Sequence, residues 1–180
     1  MYDKSKIKVI VWPQNITEDF CKRINSDDVS KPEWFNDVIK NDRYAVVSIT
    51  EPGSPDADIT VGGIVLAIHR MQFYDVVTDY KYGDLVIHPA SKDDVRGLKN
   101  FIDRCVEVLD VNRFIVHCAA GISRSAGCGA AIEEYLDIKR TIRDNCVYQP
   151  NIHVYKVCME EFGINTTADD YRKLFKGEFE

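Results

Sequence analysis

The sequence lacks what would mark a membrane-spanning, secreted or nucleic-acid-binding chain. Apolar runs such as Gly62–Ile68 fall far short of the roughly 20 residues that cross a bilayer as a helix. The opening residues, Met1-Tyr2-Asp3-Lys4-Ser5-Lys6, contain no apolar stretch, so no secretory signal is expected. Basic charge is not in surplus: 23 Lys and Arg against 29 Asp and Glu leave a net charge of −6, which disfavours a phosphate-neutralising nucleic-acid face. Six cysteines, at 21, 105, 118, 128, 146 and 158, form no Cys-x-x-Cys pair, and the four histidines form no His-x-x-x-His pair. That leaves no zinc signature and no disulfide framework; reduced thiols, no metal and no cofactor are the expectation. Internal repeats, low-complexity tracts and long linkers are also missing. The turn-rich stretch Glu51–Asp58 has too little chain on either side to separate two units. One domain over 1–180 in a cytoplasmic protein, with no nucleic-acid or membrane partner, is therefore expected.

What is present is a core and an alternation of elements. Apolar residues make up 45% of the 180 residues, enough to fold around one interior. Lys8–Val11, Tyr44–Ile49 and Phe114–His117 are β-rich runs, and Met71-Gln72-Phe73 alternates like a half-buried strand. Ile64–Ile68 fits either a strand or a buried loop. Ser30-Lys31-Pro32-Glu33 and Ser91-Lys92-Asp93-Asp94 have the form of helix-starting capping boxes. The second precedes Val95, Leu98, Ile102, Cys105 and Leu109, one apolar helical face. Pro150 precedes a further helix through Ile152, Tyr155, Cys158 and Phe162, with Gly163 at its end, and Thr167 opens a last amphipathic segment. Strands alternating with helices predict an α/β fold whose central, mostly parallel sheet is flanked by helices on both faces.

The chemistry is concentrated in Phe114-Ile-Val-His117-Cys118-Ala119-Ala120-Gly121-Ile122-Ser123-Arg124-Ser125. A strand ends in a cysteine, a five-residue loop follows, and an arginine opens a run of small residues suited to a tightly packed helix. Such a loop directs backbone N–H groups to one point at the positive end of a helix dipole, a nest for a tetrahedral oxyanion. Gly121 allows the turn, and the guanidinium of Arg124 can grip two phosphate oxygens. Cys118 at the floor of the nest would be favoured as a thiolate and hence as a nucleophile, with Ser125 able to donate to its sulfur.

Residues 117–125 resemble the signature loop of the cysteine-dependent protein tyrosine phosphatase superfamily, and the chain is closest in size and wording to its compact dual-specificity and prokaryotic or phage members. Weaker likeness extends to Val46-Val-Ser-Ile49, Phe73-Tyr-Asp75 and Gln149-Pro-Asn151. The resemblance implies a protein tyrosine phosphatase-like fold and metal-independent hydrolysis of phosphotyrosine in a phosphoprotein substrate, extending to phosphoserine or phosphothreonine. Cys118 would attack the phosphorus. Arg124 and the backbone of Ala119, Ala120, Gly121, Ile122 and Ser123 would hold the phosphoryl oxygens. An aspartic acid would protonate the leaving group, and water would release the phospho-cysteine. Asp75, Asp79 and Asp84 all precede the loop at suitable distances; Asp75 leads, because its Phe-Tyr-Asp-Val setting resembles the prokaryotic Phe-Asp-Asp-Val.

Other readings stay open at this point. A phosphoinositide phosphatase would carry lysines where Ala119, Ala120 and Ile122 stand. An RNA 5′-triphosphatase would need a basic groove. A sulfur transferase of rhodanese type is less well matched by Gly121 and Ser125. A phosphatase-like module that only binds phosphoproteins would fit if no aspartate were properly placed. Lys40–Tyr44 is read as a polar turn before a strand rather than a phosphotyrosine-recognition loop, Cys128 as a small buried residue, and His117 as a packed, hydrogen-bonded strand residue. His69, His88 and His153 have no evident partners in the sequence.

Overall fold

The computed structural model describes residues 3–25 and 41–167. The helix expected over 30–39 and, beyond its first residue Thr167, the amphipathic segment expected over 167–175 lie outside the described residues. Four strands form one parallel sheet: β1 (Lys8–Pro13), β2 (Tyr44–Thr50), β3 (Val65–Gln72) and β6 (Arg113–Cys118), in the spatial order β1-β6-β2-β3. A separate antiparallel hairpin pairs β4 (Tyr80–Tyr82) with β5 (Leu85–Ile87). Among the described residues the α-helices are α1 (Gln14–Asn25), α2 (Leu98–Glu107), α3 (Arg124–Leu136) and α4 (Ile152–Glu161).

Alternation along the central strands explains how both sheet faces are covered. On β6, Phe114, Val116 and Cys118 join the interior that α2, α3 and α4 close, while Ile115 joins a second interior with Cys21 and Ile24 of α1. Ala45, Val47 and Ile49 of β2 face the first interior, and Tyr44 and Val46 the second. Strands buried on both sides read as continuous apolar runs, which is why these two were legible in sequence.

The ambiguous run at Ile64–Ile68 resolves into the first half of β3. A register shift between Tyr44↔Val65 and Ala45↔Ala67 inserts Leu66 as an extra residue. The period of two changes phase there, so Val65 and Met71 belong to opposite interiors. Two further differences from expectation have local causes. The Ser91–Asp94 box does form, with the Ser91 hydroxyl and backbone N–H both donating to Asp94 Oδ2 at 2.7 Å. The helix nevertheless begins only at Leu98, because Gly97 takes a left-handed φ of +83° and donates its N–H to the Glu161 carboxylate at 2.8 Å. The β4–β5 hairpin and α1 were not anticipated.

Helix α3 is built for close approach. A Cβ on Gly127 would lie 2.4 Å from the Asn151 carbonyl oxygen, and one on Gly129 2.7 Å from Ile142 Cδ1. The small-residue run therefore lets α3 press against both β1 and the start of α4.

Candidate active site

In an all-parallel sheet the carboxyl ends of the strands share one edge, and that edge is where ligands gather. Here it collects Pro13 at the end of β1, Glu51 after β2, Phe73–Asp75 after β3 and Cys118 at the end of β6. The loop from Cys118 to Arg124 closes on this edge and runs directly into the N-terminus of α3.

Three loop carbonyls point away from the nest and are held from behind. Ala119 O accepts from Gln14 N at 3.3 Å, Ile122 O from Gln149 N at 3.1 Å, and Ser123 O from Gly127 N and Asn151 N at 2.9 and 3.1 Å. Gly121 has a φ of +70°, and a Cβ there would sit 2.3 Å from Pro13 N. The loop thus lies directly on the last residues of β1.

Cys118 is 2% exposed, and its Sγ lies 3.1 Å from Ser125 Oγ. Burial by itself pushes this thiol up. Donation to the sulfur from the Ser125 hydroxyl and from the N–H groups of Ser125, Gly121 and Ile122 outweighs it, and the thiol titrates below its ordinary value. The buried thiols of Cys21 and Cys105 have no such donors; burial pushes them up to about 11 and about 12. Burial cannot separate these cysteines, whereas converging donors can.

Arg124 is 3% exposed, and Nη1 donates to Phe73 O at 2.9 Å. Its Nη2 lies 3.6 Å from Glu51 Oε1, and its buried Nε has no hydrogen-bond partner among the described residues. An unpartnered, buried guanidinium N–H beside the nest is available to an anion. Glu51 and Phe73 were missed in sequence; their positions immediately at the carboxyl ends of β2 and β3 were the available signal.

The three aspartates separate cleanly. Asp75 Oδ1 accepts from Ser123 Oγ and from Asn151 Nδ2, both at 2.8 Å, which joins the segment after β3 to the loop. Asn151 is buried and also caps α4 through Oδ1, which accepts from Val154 N at 3.0 Å. Asp79 is engaged by His88 Nδ1 at 3.0 Å, and Asp84 occupies the two-residue turn between β4 and β5. Of the three, Asp75 is the one whose side chain is hydrogen-bonded to the loop among the described residues.

Several expectations about other residues are corrected. His88 does have a partner in Asp79, and His153 Nε2 lies 2.8 Å from Ala90 O. His117 is fully buried as expected, but neither ring nitrogen has a hydrogen-bond partner among the described residues. Burial pushes its imidazole down to about 4. Cys128 is a small buried residue, as expected, and lies beside Cys158 of α4. Tyr44 begins β2 opposite Arg113, at the end of the sheet away from Cys118, so residues 41–44 lead into a strand, as expected, and lie away from the site.

A cleft of about 460 Å³ opens beside the loop, lined by Asp75, Val76, Val77, Tyr80, Ser123 and Ile152 among others. Among the described residues, no helix is long and apolar enough to cross a membrane.

The strand–loop–helix that carries Cys118 and Arg124 sits in an α/β fold with a parallel sheet. No protein-family model matches the sequence, and neither does any curated protein. Among solved structures, the chain is similar to a human tyrosine phosphatase-like serine/threonine/tyrosine-interacting protein, at 20% identity and a TM-score of 0.40, covering 81% of this chain and 83% of that one. It is also similar to the PTP-2 phosphatase of Cydia pomonella, at 18% identity and a TM-score of 0.47, covering 94% of this chain and 96% of that one.

Proposed function

We propose that the protein is a cysteine-dependent phosphatase that hydrolyses phosphotyrosine, and with it phosphoserine or phosphothreonine, in protein substrates. The observation that carries this reading is the opposite behaviour of two kinds of buried thiol. Cys118 is drawn below its ordinary value by four converging donors, while Cys21 and Cys105 are pushed up. A buried sulfur stabilised as the anion, beside a guanidinium with an unpartnered Nε, suits attack on a bound phosphate monoester.

The reaction balances with the groups at hand. The phosphoryl oxygens sit in the loop, held by its N–H groups and by Arg124. The Cys118 thiolate forms the S–P bond as the ester P–O bond breaks, and Asp75 gives its proton to the departing oxygen. A water then attacks the phosphorus of the phospho-cysteine and passes its proton to the Asp75 carboxylate. The S–P bond breaks, inorganic phosphate leaves, and the Ser125 hydroxyl donates to the returning thiolate.

The test is hydrolysis of p-nitrophenyl phosphate in the presence of EDTA and a reductant. Activity in the parent and its loss in Cys118→Ser is the expected result. Equal activity in both proteins, or none in either across pH 5–8, overturns the reading.

A further inference from the structure

The loop and Asp75 account for the phosphoryl chemistry, but the rest of the neighbouring cleft and the hairpin have no part in it. Tyr80 and Leu85 are about half exposed, at 54% and 55%, and Tyr82 is 73% exposed. These residues share a surface. In the β4–β5 ladder Tyr80 pairs with Ile87 and Tyr82 with Leu85, and residues that pair directly or lie two apart project from the same face. Tyr80, Tyr82, Leu85 and Ile87 therefore form one apolar face, with Lys81 and Val86 on the other. A two-stranded ribbon standing apart from the main sheet has little of its own to justify so apolar a face.

The hairpin face is continuous with the candidate site. Tyr80 lines the same cleft as Asp75 and Ser123, together with Val76, Val77 and Ile152. Val77 is itself half exposed, at 50%. Among its described lining residues the cleft holds no lysine or arginine, and its one acidic group, Asp75, is occupied by Ser123 and Asn151. Anything that reaches from the loop into this cleft meets the apolar side chains of Val76, Val77 and Ile152, a few neutral polar groups and no positive charge. A polyphosphate, an inositol headgroup or an acidic peptide would leave its further negative charges unpaired there, which is a basis for rejection as well as selection.

We infer that the Val77–Tyr80 cleft wall and the apolar face of the β4–β5 hairpin bind the polypeptide next to the phosphorylated residue, and select apolar residues in that segment over acidic ones. This rests on the phosphatase reading and narrows its substrate class. The occupant is the substrate chain because the face begins at the cleft that holds the candidate acid, where the leaving group must lie.

The test compares two synthetic phosphotyrosine peptides, one flanked by leucine and phenylalanine and one by aspartate and glutamate, with p-nitrophenyl phosphate as a small ester. The apolar-flanked peptide is expected to show a kcat/KM about tenfold or more above the acidic one, the scale of discrimination that one apolar contact supplies. A Tyr82→Ser/Leu85→Ser protein should lower the ratio of kcat/KM on the apolar-flanked peptide to that on p-nitrophenyl phosphate by about the same factor. Val77→Lys should shift preference toward the acidic peptide. Equal kcat/KM on both peptides in the parent, or an unchanged ratio in the double variant, overturns the inference. So does a concentration-dependent dimer that the double variant dissolves while the ratio stays put, which would assign the face to a second copy. If the parent hydrolyses nothing, the phosphatase reading fails on its own. Fluorescence anisotropy of the two peptides with Cys118→Ser then decides the apolar preference, and equal affinities reject it.

Discussion

Asp75 and Ser123 are joined by a 2.8 Å hydrogen bond from the Ser123 hydroxyl to Asp75 Oδ1. The bond reaches past β2, which lies between β3 and β6 in the sheet, linking the segment after β3 to the loop after β6. It places a carboxyl group at the lip of the oxyanion nest, where a leaving oxygen would emerge.

Asp75→Asn should therefore slow esters with poor leaving groups by about 10²–10³ in kcat, while activated aryl esters lose less, because only the former need a proton in the transition state. The basic limb of the pH–rate profile should disappear with it, since that limb records loss of the acid's proton. Asp79→Asn and Asp84→Asn should leave the limb in place. Stopped assays on phenyl phosphate and p-nitrophenyl phosphate across pH separate the three; a basic limb lost in Asp84→Asn alone would move the acid to the hairpin turn.

Ser125→Ala removes the first of the donors that hold the Cys118 thiol down. The thiol should then titrate higher, and the acidic limb of kcat/KM should move to higher pH. Alkylation by iodoacetate, followed as a function of pH, reads the same midpoint without turnover. Breakdown of the phospho-cysteine should also slow, seen as a larger burst of p-nitrophenol before the steady state.

Gly121→Ala should be the most damaging small substitution in the loop. Its left-handed φ alone disfavours a side chain by about 1–2 kcal/mol. In addition, the new Cβ would stand 2.3 Å from Pro13 N and 2.4 Å from the Trp12 carbonyl carbon, and backbone cannot step aside. Lowered thermal stability and loss of the stabilisation given by orthovanadate are the expected results. A variant that melts with the parent and still responds to vanadate would contradict the packing described for this residue.

His117 makes stability depend on pH. Its imidazole is pushed down from 6.5 to about 4 by burial, so the unfolded chain takes up a proton before the folded one does. The stability tied to the neutral ring is full above pH 6.5 and drains away as pH falls toward 4, by roughly 3 kcal/mol over the window. Urea unfolding at a series of pH values should show this slope in the parent and a smaller one in His117→Gln. Identical slopes in the two proteins would remove His117 as the cause.

The parts visible in sequence were those where a local pattern and the tertiary outcome agree. The runs at Tyr44–Ile49 and Phe114–His117 are buried on both faces and read as strands without help. Asn151 and Gly163 sit at the two ends of α4, where cap chemistry puts them. Cys118, Gly121, Arg124 and Ser125 carried their chemistry in their spacing. Other features depend on distant segments. The bulge at Leu66 exchanges the two faces of β3 near its start, which blurs its period. Gly97 delays α2 although the capping box at Ser91–Asp94 is intact. Glu51 meets Arg124 only because β2 and β6 end side by side.

The place of β1 has a consequence for when the oxyanion nest comes into being. Lys8 pairs with Arg113 and Pro13 with Cys118, and Gly121 rests on Trp12 and Pro13. The first strand of the chain is the floor of a loop synthesised roughly a hundred residues later, a contact of the long-range kind that forms slowly. During translation no anion can be held until the sixth strand has emerged and been paired with the first. In refolding, recovery of vanadate or phosphate binding should accordingly be a late event, marking the meeting of the two halves of the chain and not the formation of the loop alone.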